Sequence, residues 1–107
     1  MKLSDGVSTD GLLSEIKQVL PLIDQIYKNN GQTAMLIQTT QVEPCRQRHH
    51  ESGVAVDIKT PQKTQVGIYH QIRRALGSQF WVVHCLGWYH ISHVGDIHNI
   101  IKNRNNN

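Results

Sequence analysis

The chain has 107 residues, a size suited to one domain around one modest core. With 38% apolar and 18% charged residues it reads as a soluble globular protein, and no apolar run nears the ~18 residues that a membrane span needs. A formal charge of +3 favours an anionic partner through long-range steering, but it recognises none by itself.

The opening residues, Met1 to Gly6, have no apolar stretch behind Lys2, so synthesis in a cytoplasm without a signal peptide is the expectation. From Ser8 to Asn29, Leu12, Leu13, Ile16, Val19, Leu20, Ile23, Ile26 and Tyr27 fall at helical spacing, which predicts a helix with one buried stripe. Ser8, Thr9 or Asp10 can cap it, Asn29-Asn30-Gly31 can stop it, and Pro21 is expected to kink it or split it in two. Thr33 to Thr40 is rich in β-branched and apolar types and reads as a strand, followed by a loop over Gln41 to Arg48 that contains Pro44. Val54 to Ile58 reads as a short strand after Gly53, with Val54, Val56 and Ile58 on one face and Ala55 and Asp57 on the other.

A second helix is predicted from about Gln62 to Leu76, closed by Gly77. Phe80 to His84 and Trp88 to His93 are β-prone runs around Cys85-Leu86-Gly87, a length suited to a hairpin. Ile97 to Lys102 reads as a final helical turn and residues 103–107 as a disordered polar tail, leaving one domain over 1–102. Cys45 and Cys85 are too few for a disulfide scaffold and too far apart for a Cys-x-x-Cys motif; whether they pair is left open.

The informative string is His50-Glu51-Ser52-Gly53-Val54-Ala55-Val56-Asp57, a His-x-x-Gly-x-Ala-x-Asp pattern that enters a strand. His50 ends a loop, Gly53 permits a tight entry, Asp57 projects from the strand, and Ala55 leaves room beside the carboxylate. Imidazole and carboxylate are ordinary zinc donors, and a catalytic zinc takes a third protein ligand while leaving its fourth position to water. His90, in Trp88-Tyr89-His90, can supply that third ligand.

This string, followed by an aromatic strand with Trp-x-His, resembles the D-alanyl-D-alanine carboxypeptidase family, whose fold is shared by the Hedgehog signalling domain. Gly87-Trp88-Tyr89-His90-Ile91-Ser92 is similar to the closing strand of its short, phage endolysin-like members. The resemblance implies an α+β fold, an antiparallel sheet of about four strands with helices packed on one face. It also implies one Zn2+ held by His50, Asp57 and His90, and a metallopeptidase that cuts D-amino-acid bonds in peptidoglycan stem peptides. Such a protein, a monomer, would act at the cell wall or in a virion.

Many family members carry a Glu or Asp three residues before the last His as general base, and that position here is Gly87. The base must then come from elsewhere, and His84 and Glu51 are the candidates. Arg46 or Arg48 can hold a substrate carboxylate, and Trp88 can floor the cleft, although an aromatic on an inner strand is core more often than cleft.

His49 and His93 point away from their neighbours His50 and His90, the latter pair being out of phase, so His93 is expected to be exposed. His70 and His98 fall in helical segments, and Trp81 is assigned to the core. Arg73 and Arg74, with Lys63, Lys102 and Arg104, form either a basic patch or a solvated helix face. A zinc-stabilised binding domain without catalysis is the alternative reading, favoured by Gly87. A small nucleic-acid binder is disfavoured, because no recognised motif supports it.

Overall fold

The computed structural model describes residues 1–38, 53–61 and 66–95. Among them are five strands and two helices: β1 (Lys2–Leu3), α1 (Ser14–Asn29), β2 (Met35–Gln38), β3 (Ala55–Lys59), α2 (Val66–Leu76), β4 (Phe80–His84) and β5 (Trp88–His93). The strands form one mixed sheet in the order β1-β2-β3-β5-β4. The expectation of about four antiparallel strands is corrected by β1, which runs parallel to β2. Two residues are too short to display a period of 2, so nothing in the sequence marked them as a strand.

α1 begins six residues later than its apolar spacing suggested. Ser8 instead closes a turn, its hydroxyl oxygen accepting the Asp10 N–H at 3.0 Å, and Leu13 stands at the helix N-cap without a side-chain bond. The Leu13 N–H goes to the Gly53 carbonyl at 3.0 Å, which ties the helix entry to the start of β3. Pro21 neither splits nor ends α1. It removes one backbone donor, and because Pro21 and Lys17 both face solvent, the carbonyl that loses its partner can be hydrated. The stop at Asn29-Asn30-Gly31 forms as the composition indicated: Gly31 has φ 71° and its N–H donates to Lys28.

Both helices pack on one face of the sheet. Ile16, Val19, Ile23 and Tyr27 of α1 and Ile68, Ile72 and Leu76 of α2 share a core with Leu36, Val56, Ile58, Val82, Tyr89 and Ile91. Each such side chain, fully buried, contributes roughly 1.5–3 kcal/mol. Tyr27 carries the one hydroxyl of this helix stripe, and it donates to the Lys59 carbonyl at 2.7 Å; burial raises its phenol far above the ordinary value of 10.0.

The helix expected over residues 62–76 is described only from Val66 onward. The final helical turn, the polar tail, the loop over residues 41–48, His49, His98, Lys63, Lys102, Arg104 and Cys45 lie outside the described residues.

Candidate functional site around Asp57 and His90

β3 and β5 pair antiparallel with Asp57 opposite His90. The N–H of Thr60 donates to Gly87 and that of His93 to Val54, which places the backbone bonds at the alternate pairs Ile58/Tyr89 and Val56/Ile91. Asp57/His90, Ala55/Ser92 and Lys59/Trp88 are therefore non-hydrogen-bonded pairs, where Cα atoms approach to about 4.5 Å and side chains meet most closely. The local geometry thus brings carboxylate to imidazole, with Asp57 Oδ1 2.8 Å from His90 Nδ1. Ionised aspartate only accepts, so His90 donates from Nδ1 and the carboxylate fixes ring orientation and tautomer.

All six of these residues lie on the face opposite the helices, because Val56, Ile58, Tyr89 and Ile91 occupy the alternate positions in the core. Asp57 is 2% exposed and Ser92 1% exposed, whereas the His90 side chain is partly open. Ala55, two residues before Asp57 on the same face, is fully buried. Ser92 was not singled out from the sequence. Its Oγ finds no hydrogen-bond partner among the described residues, which for a buried hydroxyl costs about 1–3 kcal/mol. Serine at a strand position gives no warning of this, since satisfaction depends on neighbours that only folding supplies.

The zinc-peptidase expectation is corrected at this site. Among the described residues no group of three or more His, Cys, Asp or Glu is arranged to hold a metal ion. Zinc bound by imidazole and carboxylate needs three protein donors, and Asp57 and His90 supply two that are hydrogen-bonded to each other. A zinc cofactor, a zinc-dependent carboxypeptidase or endopeptidase activity and a zinc-stabilised binding domain are thus unsupported. His50, Glu51, Arg46 and Arg48 lie outside the described residues.

No protein-family model, curated protein or solved structure matches the chain.

The remaining candidates fall in two places. Trp88 stands on the Asp57–His90 face, opposite Lys59 and half-buried. His84 does not join it. It pairs with Tyr89 in the β4–β5 register, so its side chain leaves the sheet on the helix side. There its ring packs 5.0 Å from Tyr89 and 5.9 Å from Tyr69, and the sheet separates it from His90. Position across the hairpin was correctly read, but the facing parity was not, and that parity removes His84 as a proton acceptor beside Asp57 and His90.

Two further assignments change. His93 faces away from His90 as expected, yet it is covered by Phe80, with ring centroids 5.0 Å apart. Trp81 is 46% exposed instead of core, since β4 is a sheet edge and Trp81 lies on its helix-free face. The Cys85 sulfur lies 3.9 Å from the Val83 carbonyl oxygen.

Proposed function

We propose that this chain is a non-catalytic binding domain for bacterial peptidoglycan, related to the D-alanyl-D-alanine carboxypeptidase and Hedgehog-type family. It takes a stem peptide against the face formed by Asp57, His90, Ser92 and Trp88. The observation that carries this reading is the Asp57–His90 pair, its carboxylate buried, with a Ser92 hydroxyl on the same sheet face that has no hydrogen-bond partner among the described residues. A buried hydroxyl without a partner among the described residues carries a cost that a ligand's amide or carboxylate would remove. The net positive charge favours approach to an anionic wall polymer. No helix among the described residues is long and apolar enough to cross a membrane.

The test is cosedimentation with purified insoluble peptidoglycan, with and without a chelator, combined with mass spectrometry of the supernatant. Binding that persists in chelator, falls at least about tenfold in Asp57→Asn and His90→Ala, and releases no muropeptides is the expected result. Release of muropeptides by the wild type, or binding unaltered in both variants, would rule the reading out.

A further inference from the structure

A second concavity lies at the edge of the sheet, where the C-terminal end of α2 meets the start of β4; it reaches round that edge to Trp81, whose side chain stands on the helix-free face. Its volume is about 570 Å³, and Arg73, Arg74, His70, Phe80 and Trp81 are among its walls. Among the described residues its lining contains no carboxylate. Neither guanidinium makes an ion pair among the described residues, where the carboxylates that do are Asp24 and Asp57. Arg73 is held over the Tyr69 ring, its Cζ 5.7 Å from the centroid, which limits its motion without neutralising it. The carbonyl end of a helix favours a cation in its last turn. Two guanidinium groups and an imidazole around one hollow exceed what that end of the helix requires.

The edge of β4 indicates the size of ligand. Cys85 N–H donates to Trp88 and Val94 N–H to Gln79, so Phe80, Val82 and His84 turn their backbone groups outward. The Val82 carbonyl is taken by the Tyr69 hydroxyl at 3.1 Å and the Phe80 N–H by the Gly77 carbonyl at 3.3 Å. These two contacts occupy part of the edge that an added strand would use. The volume falls in the ~300–1,000 Å³ range of small-molecule sites. Paired guanidinium forks suit a multivalent oxyanion, and the half-exposed Trp81, across the β4 edge from α2, lines the same hollow with an apolar surface.

We propose that this hollow binds a phosphate monoester bearing a planar ring, with the phosphate at Arg73 and Arg74 and the ring against Trp81. The site is independent of Asp57 and His90. Its test is NMR titration with AMP, using inorganic phosphate, adenosine and citrate as comparisons. The indole N–H peak of Trp81 is assigned through Trp81→Phe and that of Trp88 by difference.

The expected result is a saturable AMP shift at the Trp81 peak, with Trp88 unmoved, and at least about tenfold weaker effects from phosphate and citrate. Adenosine should produce none. Arg73→Gln/Arg74→Gln should weaken AMP binding at least about tenfold while the remaining spectrum stays folded, and Asp57→Asn should leave it unchanged. The proposal is overturned by no saturable shift at millimolar AMP, by equal binding of citrate or phosphate, or by undiminished binding in the double arginine variant. If that variant does not fold, Arg74→Gln alone, at an exposed position, decides by the same criterion.

Discussion

Gly53 combines two constraints in one residue. Its φ of 73° is in the left-handed region, and an added Cβ would overlap the Gly11 carbonyl oxygen, which is backbone and cannot swing aside. Gly53→Ala is expected to destabilise by at least ~3 kcal/mol, adding left-handed strain to the displacement of the α1 entry. Urea unfolding checks it, and a loss below ~1 kcal/mol would mean that the Gly11 segment yields freely. Ser92 makes the opposite prediction. Ser92→Ala should hold or raise stability by up to about 1 kcal/mol, because it deletes a buried hydroxyl without a partner among the described residues. The same variant should bind peptidoglycan more weakly, a divergence of stability and binding expected of residues kept for a ligand. Parallel melting and cosedimentation measurements test both halves. Asp57, by contrast, was legible as a candidate site residue because a charge on a strand of Val and Ile is conspicuous. Its direct bond to His90 was not legible, since nothing local states which strand pairs with which.

Within α1, the interrupted ladder at Pro21 gives a third prediction. Pro21→Ala restores a backbone donor at an exposed site where helical φ is already adopted, and should raise stability by about 1–3 kcal/mol. Thermal melting followed by circular dichroism would show it, and an unchanged midpoint would indicate that the helix has fully relaxed around the proline. The same helix carries an acid-sensitive contact. Lys28 Nζ lies 3.0 Å from one Asp24 oxygen, and the Met1 amino group lies 3.1 Å from the other. The hydrogen bond from Lys28, with the amino group of Met1 assisting against partial burial, lowers the Asp24 carboxyl from its ordinary 3.8. A depressed carboxyl contributes stability that is present above its unfolded value and is lost as pH falls through the folded one. Asp24→Asn should therefore cost about 0.3–1 kcal/mol near pH 7 and nothing once pH is well below 3.8. Urea midpoints at pH 7 and at acid pH compare the two, and an equal loss at both would exclude the ionic contribution. Pairs four residues apart on a helix can be read from sequence; the amino terminus reaches Asp24 because β1 places it there.

Among the described residues, one sheet face carries both helices, and stability is concentrated where α1, α2 and the sheet meet. Ile72 of α2 and Ile23 of α1 are fully buried in that shared core. Ile72→Ala and Ile23→Ala should each cost about 2–5 kcal/mol. Val83→Ala, on the exposed edge strand, should cost less than ~1 kcal/mol. Chemical denaturation of the three variants tests the contrast, and similar losses would mean that the β4 surface is covered in the folded protein.

What the sequence determined by itself was the set of elements whose apolar residues repeat with a period. The α1 stripe, the alternation of Val54 to Ile58, and the two strands of the hairpin from Phe80 to His93 were readable because burial on one face imposes that period on neighbouring residues. Tertiary structure decided the rest, because it depends on which distant segments meet. It recruited Lys2 and Leu3 as a parallel edge, and placed Trp81 outside. It turned His84 to the opposite face from His90 and set Asp57 against His90 at a close, non-hydrogen-bonded pair. Pairing register and face parity are properties of two strands together, and no single stretch of residues carries them.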